Sequence, residues 1–278
     1  MKIVFFGNPD YVLPVLKILY KHHDIVAVVT QPPKPSGRKQ LLVYSPVDAW
    51  AHRRKIPVIF NFEKIPAADL GICAAYGRII PKFVISNFKF GILNIHPSLL
   101  PKYRGASPIQ TAIIEGETQT GATIIKMDDK VDHGPIVARF KEDISPADTN
   151  ETLRTRLFEK SAQVVIELIK PYTKGKIKHC KQNDKEATFT KIVKKEDGFV
   201  NLKKDDPQEI ERKLRAYAPW PGIWTQLRSS SFAGQAKRLK ILKAHLEKDK
   251  LVIDEVQLEG KDPVSWKQFK EAYPKANF

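Results

Sequence analysis

The run KIVFFG, residues 2–7, closes on a glycine and is followed at once by YVLPVLKILYKHH and then by DIVAVVTQ. A short continuous apolar run, a stretch with apolar residues at helical spacing and a second continuous run read as strand, helix and strand. Strands that are apolar on both faces need cover on both faces, which a parallel sheet with crossover helices supplies. IPVIF, DLGICAAYG and GILNIHP continue the pattern as further strands, and GATIIKMDD and PIVARFKEDI as a sixth and a seventh. TNETLRTRLFEKSAQVVIELIKPY reads as a long amphipathic helix capped by Thr149 or Asn150. The expected fold is therefore α/β, a doubly wound, mostly parallel sheet whose ligands sit at the carboxyl ends of the strands. One connection is short: NFEKIPAAD, between IPVIF and DLGICAAYG, holds too few residues for a crossover helix, so a helix there is lost or reduced to a turn.

The pattern changes after the long helix. KPYTKGKIKHCKQNDKEATFTKIVKK is poor in large apolar residues and reads as a connector. Beyond it, EIERKLRAYAPWPGIWTQL gives a helix stopped at Pro219, and KRLKILKAHLE and KLVIDEVQLEG give strands of period two. A first domain over 1–180, a basic linker over 181–202 and a small, mostly β second domain over 203–278 are expected. The formal net charge is +16, and it peaks in residues 170–204, where 11 lysines face 4 acidic residues. Such an excess suits a polyanionic partner or a solvated surface. The two cysteines, Cys73 and Cys180, form neither a disulfide framework nor a metal-ligand pattern. No apolar stretch is long enough for a signal peptide or a membrane span. A cytoplasmic monomer with no membrane association is expected.

Asn94 and His96 stand two residues apart at the end of the fifth strand, so their side chains share one face. Asp132, in the turn VDHGP, falls where the sixth and seventh strands join. An amide can donate to an oxyanion, an imidazole can carry a proton and a carboxylate can orient that imidazole. Together they suit acyl transfer through a tetrahedral intermediate, and no serine or cysteine is spaced as a nucleophile elbow. A lone histidine is more often a structural hydrogen-bonder than a catalyst, and it is Asn94 on the same face, with Asp132 at the junction of the sixth and seventh strands, that tilts the reading. His133 with His96, Asp128 or Asp129 lacks the convergent spacing of a metal site, so no metal is expected. The loop after the first strand, Gly7-Asn8-Pro9-Asp10, lacks the later glycines of a dinucleotide fingerprint and reads as a tight turn. Met127 to Asp129 can be a plain surface turn or a loop over a flat ligand, and Tyr103 and Arg104 leave both readings open as well.

GILNIHPSLLPKYRGASPIQTAIIEGETQTGATIIKMDDKVDHGPI closely resembles the core of the folate-dependent formyltransferases. FFGNPDYVLPVLKIL, TQPPKPSGR, KLRAYAPWPGIWT and EVQLEGKDPVSWKQF resemble the branch of that family that formylates the methionine of initiator tRNA, and the resemblance spans nearly the whole chain. It implies a Rossmann-like catalytic domain followed by a small OB-like barrel, with 10-formyltetrahydrofolate as formyl donor and initiator Met-tRNA as partner. Asn94, His96 and Asp132 fall on the family's catalytic triad, and Ser98, Leu99, Leu100 and Pro101 on its folate-contacting segment. Tyr76, Gly77, Ile79 and Asp128 are implied beside the pterin. Arg38 keeps the position near the end of the acceptor stem, and Lys34, Lys39, Lys191, Lys194 and Lys195 are implied phosphate contacts. The chain departs from the family in GRKQLL after the second strand and in a compact second domain, whose barrel is expected to be incomplete. The rival readings are a formyltransferase acting on an amino-sugar nucleotide and a non-catalytic RNA binder that kept the fold.

Overall fold

The computed structural model describes residues 1–36, 40–227, 236–274 and 276, which divide into two compact units. The first unit takes Met1–Pro108, Gln119–Asp143 and Arg154–Thr190; the second takes Ile109–Thr118, Ile144–Leu153 and Lys191–Phe278. Within the stretch expected to be a linker, the residues up to Thr190 thus belong with the first unit and the rest with the second.

The first unit begins with β1 (Lys2–Gly7), α1 (Leu13–His22) and β2 (Asp24–Val29), the elements that its opening residues dictate. A small hairpin follows, β3 (Lys34–Ser36) and β4 (Leu41–Val43), then α2 (Pro46–His52) and the two-residue β5 (Val58–Ile59). The short connection beyond β5 holds a single 3-10 turn, Phe62–Lys64, before β6 (Leu70–Ala74), as the chain length there requires. Next come α3 (Lys82–Ile85), β7 (Ile92–His96), β8 (Arg104–Gly105) and α4 (Pro108–Ile114), whose residues after Pro108 belong to the second unit. The antiparallel pair β9 (Gln119–Lys126) and β10 (Ile136–Asp143) precedes α5 (Asn150–Thr173), whose first turn is capped by the Thr149 hydroxyl accepting from Thr152 N at 3.3 Å. The strand β11 (Phe189–Thr190) closes the unit by pairing with β8.

Seven of these strands form one sheet in the order β10-β9-β7-β6-β1-β2-β5. The five from β7 to β5 are parallel, and β9 and β10 extend the β7 edge antiparallel. Alternate residues of each central strand serve opposite faces. Ile3, Phe5, Ile72 and Leu93 pack with Leu16 and Leu19 of α1 and Phe158 and Val165 of α5; Val4, Phe6, Cys73 and Ile92 pack on the other face with Tyr76, Val84 and Phe88. The fold is a Rossmann-like mixed sheet with its parallel strands ending together at one edge.

The second unit holds α6 (Pro207–Tyr217), started by Asp206, whose carboxylate accepts from Gln208 N at 3.3 Å. Strands β12 (Ile223–Leu227), β13 (Lys237–Glu247), β14 (Lys250–Leu258) and β15 (Val264–Ser265) form an antiparallel sheet in sequence order, followed by α7 (Trp266–Ala272). Leu227, Leu239, Val256, Leu258 and Phe269 make its core. Among the described residues the ladders run from β12 to β15 without closing into a barrel. No helix among them is long and apolar enough to cross a membrane.

Candidate active site

At the carboxyl end of β7, Asn94 lies between Cys73 of β6 and Ile125 of β9, and His96 opposite Thr123. The loop that joins β9 to β10 brings Asp132 to them. Asn94 Nδ2 donates to Asp132 Oδ1 at 3.1 Å, Gly105 N donates to Asp132 Oδ2 at 2.9 Å, and His96 Nδ1 lies 3.4 Å from Asp132 Oδ2. The other ring nitrogen, His96 Nε2, is 2.8 Å from the Tyr103 carbonyl. A carbonyl oxygen only accepts, so Nε2 carries a proton and Nδ1 is the atom that faces the carboxylate. His96 is 4% exposed. The amide of Asn94 has two protons, and its bond to Asp132 uses one. The three residues singled out in the sequence therefore meet in one polar cluster.

The Asp132 backbone is left-handed, with φ of 47°, a conformation that costs an L side chain about 1–3 kcal/mol unless its surroundings impose it. Gly134 lets the loop return: a Cβ there would lie 1.9 Å from the Lys126 carbonyl oxygen. Gln182 Nε2 donates to the carbonyls of Asp132 at 2.9 Å and Gly134 at 2.8 Å, while Gln182 Oε1 accepts from Arg104 Nε at 3.1 Å and Nη2 at 2.8 Å. Arg104 Nη2 also meets Asp184 Oδ1 at 2.8 Å, and this bond holds the Asp184 carboxyl below its usual range, with the nearby His133 adding to it. Arg104, left open between a surface turn and a functional role in the sequence, is thus a buried structural partner, whereas nothing in a connector-like sequence marks Gln182 or Asp184.

Asp128 pairs with His133, Oδ2 to Nδ1 at 2.6 Å, and its Oδ1 accepts from Lys130 N at 3.0 Å, so this carboxylate shapes the loop rather than standing open. Among the described residues no group of three or more His, Cys, Asp or Glu could hold a metal ion. In the turn after β7, Ser98 and Leu100 are buried and Leu99 and Pro101 half-buried. The Ser98 hydroxyl donates to Lys102 O at 2.7 Å and the Leu100 amide to Thr123 Oγ1 at 3.1 Å. After β6 the backbone turns left-handed at Ala75, φ 46°, and Gly77, φ 74°. Between them Tyr76 is buried and its carbonyl accepts from Asn8 Nδ2 and from Gln31 Nε2. Gly77 is exposed, and Ile79 is 79% exposed. These two turns stand at the ends of adjacent strands, since β6 and β7 are paired.

Of the residues expected to meet phosphate, Lys34, Lys191, Lys194 and Lys195 are exposed. Lys194 and Lys195 sit on a 3-10 turn fixed by Lys194 N donating to Asp197 Oδ2 at 2.6 Å and Trp224 Nε1 donating to Lys195 O at 3.1 Å. Arg38 and Lys39 lie outside the described residues.

The family described as Formyl transferase matches residues 1–169, and Formyl transferase, C-terminal domain, matches residues 192–251. A methionyl-tRNA formyltransferase of Koribacter versatilis is 37% identical over 300 residues, which cover 98% of this chain and 96% of that protein. Among solved structures, a methionyl-tRNA formyltransferase from Clostridium thermocellum superposes with a TM-score of 0.62 at 18% identity, over 93% of this chain and 98% of its own. A sugar 3N-formyl transferase, solved in the presence of dTDP and 5-N-formyl-THF, superposes with a TM-score of 0.66 at 20% identity over 93% of each chain.

Proposed function

This chain belongs to the formyl transferase family, and from that premise we propose that it moves a formyl group from 10-formyltetrahydrofolate to the α-amine of the methionine carried by initiator tRNA. The choice of acceptor rests on one observation: the likeness to the Koribacter methionyl-tRNA formyltransferase runs through 98% of this chain, second unit included. The likeness to the sugar enzyme, at 20% identity, speaks for the fold alone.

The turns after β6 and β7 suit a flat heteroaromatic donor. They bring together left-handed backbone at Ala75 and Gly77, exposed Ile79 and half-buried Leu99 and Pro101. The side chains of Ser98 and Leu100 face inward, so this segment serves the donor through its backbone.

Attack of the amine on the formyl carbon turns the carbonyl oxygen into an oxyanion. The second N–H of Asn94 Nδ2 is one donor to it. His96 Nε2 is taken by Tyr103 O, which leaves Nδ1 as the ring atom able to take up a proton in transit. The Asn94 donor is worth about 3 kcal/mol of barrier. Asp132 accepts from Asn94 and Gly105 and faces Nδ1, so it orients Asn94 and His96 and holds negative charge beside the amine as that nitrogen becomes cationic. The proton lost by the amine is the one the departing folate nitrogen needs, so transfer is proton-neutral and the Asp132–His96 pair stands along its path.

The experiment is transfer of labelled formyl from 10-formyltetrahydrofolate, run side by side on initiator Met-tRNA, elongator Met-tRNA and an amino-sugar nucleotide. Labelling confined to the initiator tRNA is expected. Labelling of the sugar nucleotide with neither tRNA labelled overturns the acceptor and keeps the chemistry.

A further inference from the structure

The polar cluster behind Asp132 centres on Gln182, which is 6% exposed and has every hydrogen-bonding valence of its carboxamide filled. Its amine side grips the carbonyls of Asp132 and Gly134; its oxygen accepts twice from the guanidinium of buried Arg104. Arg104 in turn belongs to the segment whose Gly105 amide bonds the Asp132 carboxylate and whose Tyr103 carbonyl holds His96. Asp132 is thus fixed at both ends, carboxylate and backbone, and both ends run to the same short segment.

The residues after Gln182 extend the brace. Tyr103 N donates to Thr188 Oγ1 at 2.8 Å, Arg104 N to Thr188 O at 2.8 Å and Ser107 N to Thr190 Oγ1 at 3.0 Å, alongside the two-residue β8–β11 ladder. A stretch that reads as a tether in sequence is therefore built into the back of the site. The left-handed backbone of Asp132 is a conformation that needs bonds from outside its own loop to persist. The two carbonyls flanking His133 receive them from one side chain.

From this geometry we infer that Gln182 is a positioning residue for the transfer: it holds the Asp132 turn in register so that the carboxylate meets His96 Nδ1 and Asn94 Nδ2. The bland alternative is that Gln182 only satisfies a buried guanidinium. Gln182→Glu separates the two, because a carboxylate still accepts from Arg104 but has no donors for Asp132 O and Gly134 O. The inference rests on the formyl-transfer reading for its kinetic readout only.

The test uses the full chain and whichever acceptor the unaltered protein formylates, Met-tRNA or an amino-sugar nucleotide, so the acceptor and the role of Gln182 are decided separately. Gln182→Glu is expected to lower kcat at least tenfold and to leave KM for donor and acceptor within twofold. In an Asp132→Asn background, where the carboxylate is already gone, the same change is expected to alter the single-turnover rate less than twofold. Backbone hydrogen exchange is the second readout, independent of any substrate. It should quicken over residues 130–134 and stay unchanged in β1 and β6. Equal losses in the two backgrounds, or unaltered exchange over residues 130–134, overturn the inference and leave Gln182 as a structural partner of Arg104.

Discussion

Asp132 meets two demands at once: it accepts from Asn94 and Gly105 while facing His96 Nδ1, and it does so from a left-handed backbone. Removing its charge while keeping its shape separates electrostatics from packing. Asp132→Asn and Asn94→Ala are each expected to lower kcat by roughly a hundred- to a thousandfold, with tRNA affinity within a factor of about two. Steady-state kinetics and a filter-binding titration check both halves, and retained turnover in either variant removes that residue from the chemistry. A second residue-scale contrast lies in the cysteines. Cys73, on β6 beside Asn94, is buried, and burial, with the Asp132 charge adding to it, pushes its thiol up to about 12. Cys180 is exposed. A thiol reagent at pH 8 should therefore titrate one cysteine per folded chain and two in urea. The sign for stability follows: Cys73 stays protonated when folded but ionises near pH 9 when unfolded, so its contribution is complete below about pH 9 and is lost as pH rises toward 12. Cys73→Ala should flatten that alkaline fall in the urea midpoint, and an unchanged slope would contradict it.

At the scale of elements, the approach of the loop after β9 to its own strand is what delivers Asp132. Gly134 permits it, and the Cβ introduced by Gly134→Ala would sit 1.9 Å from the Lys126 carbonyl oxygen. The loop must open, so the variant is expected to lose about 1–3 kcal/mol in urea unfolding and to lose turnover with it. A stable variant with full activity would show that the loop adapts. The same scale explains what can be read from sequence. The strand–helix–strand opening is legible because β1 and β2 are covered on both faces, which leaves only apolar residues and Gly7 along them after the exposed Lys2 and Asp24 that start them. Asn94 and His96 are legible as a pair because a strand alternates its side chains and their separation is two. The brace is not legible. Gln182 meets Arg104 across 78 positions, and a polar residue in a lysine-rich stretch carries no periodicity that would betray a buried partner. The exposed hairpin β3–β4 hides for the opposite reason: Leu41, Leu42 and Val43 resemble a core strand yet are 56–66% exposed. Helix α7 escapes although its signal is present, a capping box of Ser265 and Gln268 in a segment too short for periodicity to mark it.

Across the whole molecule the formal charge of +16 sets how the chain meets a polyanion. Attraction to phosphate is paid back as released counterions, so affinity falls with salt at a slope of roughly 0.9 per neutralised phosphate. The excess is concentrated: residues 170–204 hold 11 lysines and 4 acidic residues. Part of that stretch is consumed by the brace around Gln182, Thr188 and Thr190, and the exposed Lys191, Lys194 and Lys195 lie beyond it in sequence. Reversing Lys191, Lys194 and Lys195 to glutamate together is expected to weaken Met-tRNA binding at low salt and to reduce the salt slope by about two to three, one phosphate per lysine. Because none of the three takes part in the hydrogen-bonded cluster of Asn94, His96 and Asp132, kcat at saturating acceptor should hold within about twofold. Binding titrations at several salt concentrations, paired with saturating-substrate rates, separate the outcomes. An unchanged slope would place the tRNA contacts elsewhere on the basic surface, and a fall in kcat at saturation would mean that this connector also sets the methionine's approach to the formyl carbon.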